Sequence, residues 1–98
     1  MIIAIDFDNT WTADPELWRQ FVFTARNRGH NCIIATNRSK WSEDMDKYNL
    51  GSGIVIIYCG GEYKEVACLK AGWKVDVWID DSPRMIQQSL IIGEDKDL

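Results

Sequence analysis

Residues 1–10 read MIIAIDFDNT, and this stretch decides the fold. Ile2-Ile3-Ala4-Ile5 is an unbroken apolar run that stops at an acid, Asp6. A strand with water on one face alternates apolar and polar residues, whereas one buried on both faces does not. The run therefore predicts a strand over residues 2–6 in a sheet covered on both sides. Just past it, Asp6 and Asp8 lie two residues apart, so an extended chain points both carboxylates the same way.

Outward from this strand the chain alternates helix and strand patterns. Asp14-Pro15-Glu16 is a helix start: Asp14 caps free amides, Pro15 suits the first turn and Glu16 faces the positive dipole end. Leu17, Trp18, Phe21, Val22 and Ala25 then share one apolar face, and Gly29 closes the helix. CIIA at 32–35 reads as a second buried strand, followed by a short helix within 39–49 that Gly51-Ser52-Gly53 breaks. IVIIY at 54–58 is a third strand, turned by Gly60-Gly61. Residues 62–71 suit a helix through Tyr63, Val66, Ala67 and Lys70, with Gly72 as its stop. VDVWI at 75–79 is a fourth strand, Ser82-Pro83 starts a short helix, LII at 90–92 is an edge strand, and the acidic tail 93–98 frays. This alternation predicts one α/β domain over residues 1–98: a Rossmann-like, three-layer α/β/α fold with a parallel sheet of about five strands.

Composition bounds the function. The apolar runs fall far short of the ~20 residues of a membrane span, and the acidic turn after residue 5 does not suit a secretory leader. Three cysteines without CxxC spacing read as reduced thiols of a cytoplasmic protein. The net charge of −4 opposes broad attraction to nucleic acid or anionic membranes, though it permits a local basic patch. The five tryptophans fill the core of a small domain.

Right-handed crossovers bring the carboxyl ends of parallel strands to one edge, where open α/β sheets bind ligands. Strand one ends in Asp6-Phe7-Asp8-Asn9-Thr10, strand two in Thr36-Asn37-Arg38 and strand four in Asp80-Asp81-Ser82-Pro83, while Lys64 opens the preceding helix. Carboxylates crowded at one strand end repel unless a cation or a shared proton compensates them, which favours a hard divalent ion such as magnesium. Acids, a hydroxyl and two cations together suit phosphoryl transfer, in which a carboxylate attacks phosphorus while positive groups hold its oxygens.

These residues resemble the motifs of the haloacid dehalogenase superfamily. DFDNT is similar to its first motif, Thr36 to its second, Lys64 to its third and Asp80-Asp81 to its fourth, in order, over residues 2 to about 86. The resemblance implies a magnesium-dependent phosphatase with Asp6 as nucleophile and Asp8 as general acid and base. It further implies that Thr10, Thr36, Asn37, Arg38 and Lys64 bind substrate, and that Asp6, Asp8, Asp80 and Asp81 serve the metal. Asp8 would act there through its backbone carbonyl. DDSP resembles the fourth motif of small phosphoprotein phosphatases of the superfamily, which favours Asp81 as direct ligand with Asp80 in support. Lys70 competes with Lys64 for the third motif, but Lys64 sits at the helix start near the sheet's carboxyl edge and Lys70 almost two turns further on. Thr-Asn-Arg at 36–38 resembles the second motif of the polynucleotide kinase-phosphatase phosphatase domain. Arg38, Lys40 and Trp41 form a basic-aromatic cluster suited to a phosphodiester and a stacked base, or else a solvated loop with a packed tryptophan. Trp11 reads equally as a rim contact or as core.

Many superfamily members insert a cap after strand one or strand three. Residues 9–13 and 59–62 leave no room for one. An uncapped site suits a phosphorylated substrate that covers it, a nucleotide or nucleic-acid end, or a phosphoprotein; otherwise a second subunit closes it. The chain is expected to be a monomer or small homo-oligomer. A catalytically silent phosphate- or metal-binding module is the alternative from another class. A response-regulator receiver is rejected, because strand three ends in Tyr58-Cys59-Gly60 without an acceptor acid.

Overall fold

The computed structural model describes residues 1–39, 50–51 and 53–87. Within them four strands form one all-parallel sheet in the order β3-β2-β1-β4, with β1 at Ile2–Asp6, β2 at Asn31–Thr36, β3 at Val55–Tyr58 and β4 at Val77–Ile79. The chain steps from β1 through β2 to β3 on one side, then returns past β1 to lay β4 on the other. With right-handed crossovers, such a reversal sends the connecting helices to opposite faces. The packing agrees. Helix α1 (Pro15–Asn27) buries Val22 and Ala25 in a cluster with Ile3, Ile5, Cys32 and Ile34. Helix α2 (Lys64–Lys70) buries Ala67 and Cys68 in a second cluster with Ala4, Ile33 and Ala35. Neighbours along β1 thus serve different cores, which is why its apolar run is continuous.

Asp14 caps α1 by accepting the Leu17 amide at 3.2 Å, and Gly29 ends the helix region at φ 87°, which a Cβ would disfavour. Trp11 and Phe7 are fully buried in the first cluster, Trp18 packs against it, and Trp73 and Trp78 pack against the second. Trp11 is therefore core, not rim.

Several expectations need correction. Leu17, assigned to the inner face of α1, is 50% exposed, because Val22 and Ala25 fix the buried stripe and leave Leu17 at its margin. The inner face of α2 is Lys64, Ala67 and Cys68, at i, i+3 and i+4, while Val66 faces outward. β4 is shorter than residues 75–79: the Asp76 carboxylate accepts the Ile2 amide at 2.7 Å, so a side chain takes the place of a ladder partner and the paired strand starts at Val77. Four strands lie within the described residues. The strand expected at 90–92 lies outside the described residues, as do the tail 93–98, Lys40, Trp41 and, Ser39 apart, the helix expected within 39–49.

All three cysteines are free and buried. Burial pushes every thiol up, Cys59 to about 11 and Cys68 to about 12, which disfavours the thiolate. Among the described residues no helix is long and apolar enough to cross a membrane.

Candidate functional site

Asp6 is the last residue of β1 and is buried. Across the β1–β4 ladder Ile5 stands opposite Ile79, so Asp6 and Asp80 follow as neighbours at the carboxyl edge. This is where the connections diverge, one to β2 and one arriving from β3, the crevice position of open α/β sheets.

After Asp6 the chain folds back tightly. The Phe7 carbonyl accepts the Thr10 and Thr12 amides at 3.4 and 3.1 Å, and the Thr12 hydroxyl accepts the Asn9 amide at 2.9 Å. Asn9 takes the left-handed conformation, φ 67°, which asparagine tolerates better than most residues. The turn returns the Thr10 hydroxyl to the site, 3.2 Å from Asp6 Oδ2 and 3.5 Å from Asp81 Oδ1. The Trp18 indole N–H, on the Thr10 carbonyl at 2.8 Å, pins the turn to α1.

Lys64 enters from the opposite face. The segment after β4 holds the start of α2 through the Glu65 amide on the Ile86 carbonyl at 2.8 Å. The lysine, 1% exposed, places Nζ 2.6 Å from Asp6 Oδ1 and 2.5 Å from Asp80 Oδ2. The other Asp80 oxygen accepts the Ser82 amide at 2.8 Å, an Asx turn. Asp80 is thus engaged at both oxygens by strong donors. Asp6 Oδ2 and Asp81 Oδ1 share the Thr10 hydroxyl, which has one proton to give and can turn between them.

One oxygen each of Asp6, Asp80 and Asp81 lies within 4.8 Å of the others. Burial drives the Asp6 carboxyl up; Lys64 pulls it down, Asp81 and Asp80 push it up again, and it comes to about 6. Burial alone would lower Lys64, but its hydrogen bonds and charge contacts with Asp6 and Asp80 outweigh that and raise it. Three carboxylates facing one ammonium leave an excess of negative charge and offer oxygen donors only. That donor set fits a hard divalent cation.

Asp8 behaves differently. Its two oxygens take the Arg38 guanidinium as a fork, Nε at 3.1 Å and Nη2 at 2.9 Å, and the guanidinium carbon lies 5.1 Å from the centre of the Phe7 ring. The Asp8 side chain thus lines the same cleft as the acidic trio with its oxygens turned to Arg38. Thr36 is buried, with its hydroxyl accepting the Arg38 amide at 3.3 Å. A cleft of about 140 Å³ is lined by Asp6, Asp8, Asn9, Asn37, Lys64, Asp80, Asp81 and Ser82. Thr10, Thr36 and Arg38 are not among its lining residues. Lys70 lies away from it, paired with Glu62 on the surface. The sequence reading missed Ser82 and the Thr10 tie between Asp6 and Asp81. Asp-x-Ser before proline was the available signal for the Asx turn, whereas the Thr10 tie depends on the turn at Asn9.

Fold and site define a small α/β protein with an all-parallel sheet and a carboxylate-rich cleft where β1 and β4 end. Compared with family models, curated proteins and solved structures, the chain matches none.

Proposed function

We propose that the protein is a magnesium-dependent phosphomonoesterase acting through an aspartyl-phosphate on Asp6, a capless, Rossmann-like three-layer member of the haloacid dehalogenase superfamily. The observation that carries the reading is the junction of Asp6, Asp80 and Asp81 with buried Lys64 at the carboxyl edge of the sheet. An ordinary buried ion pair has no use for two extra acids; a phosphoryl-transfer site has, because they hold a cation while lysine meets phosphate oxygens.

Asp6 and Asp81 would hold the magnesium, with Asp80 bracing Lys64 behind them. The metal would supply charge neutralisation for the phosphoryl oxygens. A carboxylate oxygen of Asp6 attacks phosphorus, the ester P–O bond breaks, and the leaving oxygen takes a proton from Asp8. Water then attacks the aspartyl-phosphate and gives its proton to Asp8; the Asp6–phosphorus bond breaks and inorganic phosphate leaves. For either transfer Arg38 must release at least one Asp8 oxygen. Asn9, Asn37 and Ser82 line the cleft and offer polar contacts to the phosphate.

The cleft is small beside the ~300–1,000 Å³ of pockets that engulf whole ligands. That size supports a substrate whose phosphate alone enters, such as a nucleotide or nucleic-acid terminal phosphate; a phosphoprotein has the same property. The deciding experiment measures phosphate release, with magnesium, from a 3′-phosphorylated oligonucleotide, a mononucleotide, a phosphopeptide and p-nitrophenyl phosphate. Turnover of at least one is expected, with a loss on the order of 10³-fold or more in Asp6→Asn. An Asp6→Asn variant as active as wild type overturns the nucleophile. A folded wild type that binds phosphate or magnesium but turns over nothing makes the chain a silent binding module.

A further inference from the structure

We infer that Arg38 is a positioning residue that keeps the Asp8 carboxylate out of a bound cation's reach, setting the site for magnesium over calcium; the inference rests on the metal reading above. Asp8 lines the same cleft as Asp6, Asp80 and Asp81, yet only those three gather their oxygens. Packing does not hold Asp8 aside, because its side chain is 50% exposed. The fork does, by taking both of its oxygens. The guanidinium lies over the Phe7 ring, its carbon 5.1 Å from the centroid, and the Arg38 backbone amide donates to the Thr36 hydroxyl. Phe7 and Thr36 are both buried, so the fork is mounted on rigid ends of β1 and β2.

Two acids are thereby held at both oxygens, Asp80 by Lys64 and the Ser82 amide and Asp8 by Arg38, whereas Asp6 Oδ2 and Asp81 Oδ1 share the Thr10 hydroxyl. Few protein oxygens suit magnesium, which keeps several waters in a tight octahedron. Calcium takes about six to eight oxygens and gains from each added carboxylate. A freed Asp8, on an exposed turn two residues from Asp6, would provide that extra ligand.

The test titrates magnesium chloride and calcium chloride into metal-free wild type, Arg38→Gln, Asp8→Asn and the double variant, by calorimetry and melting temperature. Circular dichroism checks that each is folded. Removing a positive charge strengthens both ions alike, so the calcium-to-magnesium affinity ratio is the readout. Arg38→Gln should raise that ratio by about tenfold, the scale on which residues behind metal ligands act. Asp8→Asn should leave it at the wild-type value, and the double variant should return it there. An unchanged ratio in Arg38→Gln, or a rise that survives in the double variant, overturns the inference while leaving magnesium binding in place. A wild type that shows neither heat nor a melting shift with either ion overturns the metal reading, and this inference with it.

Discussion

A lysine kept from water needs compensation, and Lys64 has it from two carboxylates at 2.6 and 2.5 Å. Removing one partner of such a buried set costs about 3–5 kcal/mol, because the remaining charges stay desolvated and unpaired. Lys64→Met should therefore lower stability by about that much at neutral pH. The loss should be smaller at pH 5, where Asp6, whose carboxyl lies at about 6 in the intact site, takes up a proton. Denaturant melts at both pH values test this; a loss of the same size at each would mean that Lys64 matters by its packing and not its charge. The neighbouring Thr10 hydroxyl works at finer scale, within hydrogen-bond reach of both Asp6 and Asp81 oxygens.

At the scale of elements, the helix that follows β1 is set by its ends. The Asp14 side chain accepts the Leu17 amide, and a cap of this kind is worth about 1 kcal/mol. Asp14→Ala should cost that amount, and Asp14→Ser far less, in urea melts that leave the slope unchanged. Equal losses for the two would place the effect elsewhere than in the cap. These end signals are local, which is why α1 was legible in the sequence. β1 was legible too, since a run of isoleucines ending in an acid has few other uses. The reading weakened where an element's register depends on a distant partner. Asp76 shortens β4 by bonding Ile2, a contact across 74 residues that composition does not display. The face of α2 was read through Tyr63, Val66, Ala67 and Lys70, whereas the acids at the ends of β1 and β4 draw Lys64 inside. The convergence of Asp6, Lys64, Asp80 and Asp81 was foreseeable from strand ends alone. The Asp8–Arg38 fork was not, because two nearby charged loops do not say which acid takes which cation.

For the whole molecule, topology explains why so much charge is gathered in so small a protein. β1 and β4 are neighbours in the sheet but distant in sequence, and their carboxyl ends bring Asp6 beside Asp80 and Asp81, with Lys64 paired to two of the three. Ionising Asp6 in this arrangement opposes folding, and the sign of the pH effect follows. Asp6 has its folded value raised to about 6, above the ordinary carboxylate range. Its contribution to stability is therefore present in acid, below the unfolded value, and is lost as pH rises through about 6. On the proposed metal reading magnesium would reverse the balance, because it would bind the ionised carboxylates of the folded chain and compete with the proton for Asp6. The metal-free protein should lose melting temperature between pH 4 and pH 7 relative to Asp6→Asn. Magnesium should restore it at pH 7.5 and do little at pH 5. At about a hundredfold excess over Kd, the gain should reach about 2.7 kcal/mol, several degrees for a domain of this length. Asp81→Asn should abolish most of that gain while leaving the fold intact, since Asp81 is exposed and the Thr10 hydroxyl it accepts also reaches Asp6. Calorimetric scans with and without magnesium at the two pH values measure every term. A magnesium effect that is equal at both, or one that survives in Asp81→Asn, would remove Asp6 and Asp81 from the metal's ligands and leave the acidic cleft to be explained by its lysine alone.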